Sequence, residues 1–147
     1  MISKVRRVDY SKKTVKAKSD STVLEILPQK EENESSAKTV LIKHDYYSSD
    51  SDHGRDLLRA LLRALYKSQI NKLVIYLIDS GTLLLDKENA LFKTFQPLIA
   101  KSEMVIVADE SLLFYGIDAD IDSNILTQPL DSIAYDIINL PDILILE

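Results

Sequence analysis

Hydrophobic residues come in short runs along most of this chain, with polar segments between them. Three runs, at residues 40–42, 73–78 and 104–107, are continuously apolar. Strands that are covered by helices on both faces typically have this pattern, because neither side of the strand meets water. Two further β-rich runs follow at residues 124–128 and 143–146. The pattern predicts a parallel sheet of about five strands.

Helical patterns separate these runs. The first is an amphipathic stretch that ends near residue 68, with an apolar stripe of Leu57, Leu58, Leu61, Leu62 and Leu65. The others cover residues 87–101, a short segment from Ser111, and residues 130–139. Pro97 should kink or split the second of these stretches, because proline lacks a backbone donor. Alternating strands and helices imply right-handed βαβ units, so we predict a flavodoxin-like three-layer α/β domain over residues 39–147.

The region before this domain has a different character. Residues 30–38 are uniformly polar and without periodicity, which predicts a linker or exposed loop. Within residues 1–29, segments 14–18 and 22–27 are β-rich around a possible turn at 19–21, which predicts a short β-hairpin extension. Two strands alone are marginally stable in water, so the hairpin would need to pack on the main domain or on another subunit.

Composition and charge narrow the possible functions. The chain has no cysteine, which excludes a thiolate nucleophile and a cysteine-based zinc site. It has no apolar run of roughly 20 residues and its N-terminus lacks the apolar core of a secretory signal, so we expect no membrane contact and a cytoplasmic location. Residues 1–18 carry a net charge of +6 and the remainder −11, and so acidic a body argues against nucleic-acid binding. Three glycines cannot build a phosphate-binding glycine motif.

Polar side chains gather where the predicted strands end. The candidate ligand-binding residues are Tyr46 and Gly54 after the first strand, Asp79, Ser80 and Gly81 after the second, and Asp109, Glu110 and Ser111 after the third. Carboxyl ends of parallel strands meet at one edge of a sheet, where open α/β sheets hold their ligands. Asp45, Asp50 and Asp52 add acids that could help to hold a hard cation. Solvated loop acids are the commoner explanation, so no metal, cofactor or catalytic residue is predicted.

The segment Ala108-Asp109-Glu110-Ser111-Leu112-Leu113-Phe114-Tyr115-Gly116 resembles a cysteine site without its cysteines. In the DsrE-like domain of YedF-type proteins, which are associated with sulfur and selenium metabolism, this place reads Cys-Gly-x-Cys-Leu followed by Tyr-Gly. Ala108 and Ser111 hold the two cysteine positions here. Two weaker landmarks are Gly54 before an apolar helix and the segment from Asp79 to Leu84, which is similar to the family's Asn-Ser-Gly-Val-x-Leu. The resemblance covers residues 39–147.

The resemblance implies a DsrE-like domain that cannot carry a persulfide. A serine would need an adjacent base, and neither histidine lies in a motif that supplies one. Asp109 and Glu110 add negative charge where an anionic nucleophile would develop, so we expect Ser111 to act only as a helix N-cap. The first hypothesis is a binding or assembly module without sulfurtransferase activity. The alternative is a hydrolase or metal-dependent enzyme that uses Asp79, Asp109, Glu110 and Ser111.

Two features bear on partners. Arg55, Arg59, Arg63 and Lys67 recur at four-residue spacing on the first predicted helix, and this basic stripe is either a solvated face or a contact for an acidic protein surface. DsrE-like domains commonly assemble, so the resemblance implies a homo-oligomer, a dimer or trimer. Its apolar contacts would come from Tyr46, Tyr47 or residues 23–27.

Overall fold

The computed structural model of this protein describes residues 36–118 and 124–147. The predicted hairpin at residues 1–29 and most of the linker at 30–38 lie outside the described residues. The strands are β1 (Ala37–Ile42), β2 (Lys72–Leu77), β3 (Met104–Ala108), β4 (Ile125–Gln128) and β5 (Ile143–Leu146). All neighbouring pairs are parallel, in the order β4-β3-β2-β1-β5. The prediction of a parallel α/β sheet of about five strands is confirmed.

The helices are α1 (Asp52–Lys67), α2 (Phe92–Lys101), α3 (Asp109–Tyr115) and α4 (Leu130–Asn139), with a 3-10 helix at Asp79–Leu85. Two sequence predictions need correction here. The second helical stretch begins at Phe92 rather than residue 87. Of the two effects predicted for Pro97, a kink or a split, the split does not occur, because α2 continues across it. The helix after β3 begins at Asp109, two residues before the predicted start at Ser111, so β3 passes into α3 without an intervening loop.

The two faces of the sheet carry separate apolar clusters. On one face, Val40 and Ile75 pack with Leu58 of α1 and Phe95 of α2, and all four side chains are buried. On the other face, a second cluster forms around Ile133 of α4. In-register residues point to the same face of a sheet, so the alternation along each strand divides its side chains between the two clusters. Every central strand is therefore covered on both sides, which explains its continuously apolar sequence.

The strand order creates one point where the chain reverses direction across the sheet. After β3, Leu112 of α3 packs against the cluster that contains Leu58 and Phe95. After β4, Ile133 of α4 packs against the opposite cluster. The connections that leave these two neighbouring strands thus go to opposite faces, which opens a crevice between their carboxyl ends. In open α/β sheets this switch point is where ligands bind.

Helix α1 is held at both ends by side chains. Ser51 is its N-cap, and its Oγ atom accepts a hydrogen bond of 3.0 Å from the Gly54 amide. At the other end, the Lys101 ammonium donates to the carbonyls of Leu65, Tyr66 and Ser68 at 3.1, 2.7 and 2.7 Å. A cation at a helix C-terminus donates hydrogen bonds to the last carbonyls and interacts favourably with the negative end of the helix dipole. In the part of the chain that the structure describes, no helix is long and apolar enough to cross a membrane.

Candidate functional site

Two of the predicted segments meet at the carboxyl edge of the sheet. Asp79, Ser80 and Gly81 open the 3-10 helix after β2, and Asp109, Glu110 and Ser111 form the first turn of α3 after β3. The two segments are joined directly, because the Asp79 amide donates to Ser111 Oγ at 2.9 Å. The strand ends thus bring these six predicted residues to one place.

Asp79 occupies the sharp turn between β2 and the 3-10 helix. Its φ of 51° lies in the left-handed region, which few residues other than glycine adopt and which aspartate tolerates better than most. The turn brings Gly81 close to the end of β1. The Gly81 amide donates to the carbonyls of Ile78 and of Lys43, the residue that follows β1. A Cβ atom on Gly81 would lie 2.3 Å from the carbonyl oxygen of Ile42. Close packing of two backbones therefore requires the glycine, without any contribution from a ligand.

Ser111 has a different role from the expected N-cap. The N-cap position of α3 belongs to Ala108, which has no side chain to cap the helix, because Asp109 and Glu110 are already helical. The Ser111 side chain is instead buried, with 7% of the residue exposed, and it accepts the Asp79 amide. Its own hydroxyl proton has no acceptor among the described residues. The hydroxyl therefore fixes the turn after β2 and keeps one donor free.

Each carboxylate at this edge is placed differently. Asp79 accepts a 2.9 Å hydrogen bond from the Tyr115 hydroxyl, and burial together with this carboxylate raises the pKa of Tyr115. Glu110 accepts a 2.9 Å bond from the Leu130 amide, so its negative charge sits at the N-terminus of α4. Asp109 is exposed. Among residues 36–118 and 124–147, no lysine or arginine forms an ion pair with any of these three acids.

A cavity of about 270 Å³ opens at the switch point of the sheet. Its lining comes from three consecutive connections: Asp79 after β2, residues of α3, and Leu130 after β4. The α3 residues are Glu110, Ser111, Phe114 and Tyr115. Phe114 is 79% exposed and stands at the rim, edge-on to the ring of Tyr115 at a centroid distance of 4.9 Å. The cavity combines carboxylate, hydroxyl, aromatic and aliphatic groups.

Tyr46 and Gly54 lie in the neighbouring loop and are not among the residues that line this cavity. The Tyr46 ring stacks on His44 with centroids 4.6 Å apart, and His44 Nδ1 lies 3.1 Å from Ser80 Oγ. Tyr46 is therefore connected to the site through His44. Gly54 belongs to the first turn of α1, where a Cβ atom would lie 1.8 Å from the Ser49 carbonyl oxygen. Its backbone packing explains why this position is a glycine.

The other predicted acids are engaged elsewhere. Asp45 is buried and accepts a 3.0 Å bond from the Asn89 amide group, and Asp50 pairs with Arg55 at 2.6 Å. The part of the chain that the structure describes holds no group of three His, Cys, Asp or Glu side chains that could bind a metal ion. Two members of the basic stripe are paired with acids: Arg55 with Asp50 of the preceding loop, and Arg59 with Asp56 of α1.

Four residues of the site escaped the sequence analysis as site residues. His44 could have been found, because it follows β1 by two residues and so lies at the same edge as the predicted set. Phe114 and Tyr115 could have been found from their place in the short helix after β3. Leu130 could not have been found, because its position depends on β4 being the neighbour of β3. The hydrophobic pattern does not reveal the order of the strands.

No protein-family model matches the chain, and no curated protein matches it. Solved structures do. The crystal structure of the YchN protein from E. coli has a TM-score of 0.50 and 15% identity, over 74% of this chain and 98% of that one. The conserved protein of unknown function BT1422 from Bacteroides thetaiotaomicron has a TM-score of 0.50 and 11% identity, over 74% and 95%. MTH1491 from Methanobacterium thermoautotrophicum, also of unknown function, has a TM-score of 0.51 and 13% identity, over 75% and 98%.

These likenesses extend over nearly the whole length of each solved structure. At 11 to 15% identity they show the fold alone, and the chain has a DsrE/YchN-like fold. The resemblance first seen in Ser111, Leu112, Tyr115 and Gly116 thus agrees with the architecture.

Proposed function

We propose that this protein is a DsrE-like binding or assembly module of the YedF type that acts in the cytoplasm, beside sulfur or selenium metabolism, without sulfurtransferase activity of its own. One observation carries the proposal. Ser111, at the position of the family cysteine, holds the Asp79 amide at 2.9 Å and lines a cavity at the switch point of the sheet. The residue that would do the chemistry in a sulfurtransferase here supports the wall of a binding cavity.

The electrostatics of the site support the same proposal. A persulfide carrier needs a thiolate, which a helix N-terminus or a nearby cation stabilises. In this protein the first turn of α3 holds two acids, Asp109 and Glu110, and the chain contains no cysteine. Negative charges beside a thiol raise its pKa, so even an introduced cysteine would be largely protonated at neutral pH.

Persulfide loading followed by intact-mass measurement tests the proposal. The wild-type protein should gain no sulfur. Ser111→Cys should load no faster than Ser132→Cys, a matched control that places an exposed cysteine in the first turn of α4. Sulfur covalently attached to the wild-type chain would refute the proposal, and fast loading confined to Ser111→Cys would show that the site retains its thiolate-stabilising field.

The assembly part of the proposal has its own support. Leu126, Ile106, Tyr76, Leu41 and Ile145 form one row across the sheet on the face that α4 covers. The three central residues are each 4% exposed, but Leu126 and Ile145 at the ends are 43% and 42% exposed. Ile138 of α4, the helix on this face, is 82% exposed. A second copy of the chain would cover this apolar surface, giving a homo-oligomer.

Light scattering at micromolar concentration tests the assembly. The wild-type protein should be a dimer or trimer, and Ile138→Glu should shift it toward the 16.6 kDa monomer because a charge cannot be buried unpaired. Asp131→Glu, on the exposed surface of the same helix, should leave the assembly unchanged. A wild-type monomer would contradict this part of the proposal.

A hydrolase is the second candidate, and one contact favours it. Ser80 Oγ lies 3.1 Å from His44 Nδ1, and the stacked Tyr46 ring orients the imidazole. A serine beside a histidine is the usual nucleophile and base pair of acyl-transfer enzymes. The candidate nucleophile is thus Ser80, whereas the sequence pointed to Ser111. Labelling with a fluorophosphonate that is lost in Ser80→Ala but kept in Ser111→Ala would support this candidate, and an unlabelled wild-type protein would dismiss it.

A further inference from the structure

We infer that the cavity between Asp79 and Leu130 binds an organic cation, an ammonium or guanidinium group carried on an apolar body. This inference rests on the proposed binding function and names the chemical class of its ligand. It follows from four properties of the cavity: an excess of hydrogen-bond acceptors, unpaired negative charge, an accessible aromatic face and a small volume.

Acceptors outnumber donors around the cavity. Asp79 uses Oδ1 for the Tyr115 hydroxyl, and Glu110 uses Oε1 for the Leu130 amide. The second oxygen of each carboxylate receives no hydrogen bond from the described residues. Gln128, at the carboxyl end of β4 but outside the cavity lining, also has a buried Oε1 atom without a donor within the described part of the chain. A ligand that fits this edge must supply donors, and ammonium and guanidinium groups consist of donors only.

Charge points the same way. The carboxylates of Asp79 and Glu110 line the cavity, and no cation among the described residues pairs with either. An anionic ligand would meet both charges directly. The first amide of α4 cannot offset them for such a ligand, because Glu110 already accepts it. A cationic ligand would be attracted by both carboxylates and would not have to displace a resident lysine or arginine.

The remaining walls suit an apolar body next to the charge. Phe114 is 79% exposed at the rim, so its ring face is open to a cation or to a flat apolar group. Leu130 adds an aliphatic wall with 39% of its surface exposed. The volume of about 270 Å³ is just below the range of roughly 300–1,000 Å³ that holds drug-sized ligands. The ligand part that enters should therefore be the size of a small aromatic amine or of one arginine side chain.

Titration of the full chain with phenethylammonium, followed by amide NMR shifts, tests the inference. We expect saturable binding with a dissociation constant on the order of millimolar, which suits so small a ligand. The shifts should centre on Asp79, Glu110 and Leu130. Phenethyl alcohol and phenylacetate have the same ring without the positive charge and should bind at least tenfold more weakly. A second arm with a blocked arginine-leucine dipeptide compares a free amine with a protein side chain as the source of the cation.

Two variants separate charge from ring. Asp79→Asn should weaken phenethylammonium binding about fivefold or more, and it should fold normally because asparagine also tolerates a left-handed φ. Glu103→Gln is the matched control, since it removes the same charge from an exposed residue that precedes β3 at the opposite edge of the sheet. Phe114→Ala should weaken binding about two- to fivefold, the size of an exposed cation–π contact.

The outcomes distinguish this inference from the proposed function. Equal binding of all three aromatic probes, or stronger binding of phenylacetate, would overturn the cation assignment and still leave a binding cavity at the switch point. An unaltered affinity in Asp79→Asn would overturn it as well. Sulfur loading of the wild-type chain would instead refute the proposed function, whichever probe binds.

Discussion

Gly81 provides the sharpest test of how the carboxyl edge is built. Substitution by alanine places a Cβ atom 2.3 Å from the carbonyl oxygen of Ile42 and 3.0 Å from its carbonyl carbon. Ordinary carbon-to-oxygen contacts are about 3.3–3.6 Å, so the 3-10 helix and β1 would have to separate by roughly 1 Å. Both atoms belong to the backbone, so no side chain can move aside to make room.

The expected cost has two parts. Overpacking of this kind costs about 1–3 kcal/mol. The separation would also stretch the hydrogen bond of 3.1 Å from the Gly81 amide to the Lys43 carbonyl, whose loss costs about 1 kcal/mol. We therefore expect Gly81→Ala to lower the free energy of unfolding by about 2–4 kcal/mol.

Gly116→Ala is the matched control. Gly116 ends α3 with a φ of 63°, and a Cβ atom there would meet nothing within 4 Å. The substitution should cost only the backbone penalty of about 1–2 kcal/mol, reduced by the lower entropy of the unfolded alanine chain. Urea unfolding followed by circular dichroism measures both values. If Gly81→Ala is as stable as Gly116→Ala, then Gly81 does not pack as closely against β1 as described. Ligand binding would then again be a possible reason for the glycine at this position.

Two further predictions concern the packing around the site. Burial and the hydrogen bond to Asp136 raise the pKa of Tyr76 to about 12, so its stabilising effect is complete below pH 10 and lost as the pH rises to 12. The stability difference between wild type and Tyr76→Phe should therefore shrink by about 1–2 kcal/mol between pH 9 and about 11.5, and a constant difference would contradict it. Lys101→Met should lower stability by about 1–2 kcal/mol because three carbonyls at the end of α1 lose their donor, whereas Lys93→Met on the same helix should stay within about 0.5 kcal/mol. Thermal unfolding of the two lysine variants checks this, and equal melting temperatures would rule it out.

The strands, and the edge of the sheet at which the candidate residues lie, could be predicted from the sequence, because both follow from local patterns. A continuously apolar run marks a buried strand, and the polar residues that follow it must lie at the carboxyl edge. Parallel strands alone bring Asp79 and Ser111 to the same edge. The direct contact between them also depends on β2 and β3 being neighbours, which the local pattern does not give.

The rest depended on information that is not local. The 3-10 helix at Asp79–Leu85 has neither the length nor the periodicity of an α-helix, so its sequence reads as a loop. Helix α3 begins after Ala108, whose side chain cannot cap it, whereas we predicted the cap at Ser111. Leu130 enters the cavity only because β4 adds beside β3 before the chain crosses to β5.

The link between Glu110 and α4 bears on the proposed lack of thiolate chemistry at this site. The Glu110 carboxylate accepts the Leu130 amide at 2.9 Å and so ties α3 to the first turn of α4. That link places a negative charge beside position 111, and the charge would raise the pKa of any thiol placed there. A cysteine with a reactive thiolate would therefore be favoured by the loss of this charge. Ser111 places a neutral hydroxyl at this position, and the unpaired oxygens of Asp79 and Glu110 are the basis of the inferred preference for a ligand with a positive charge.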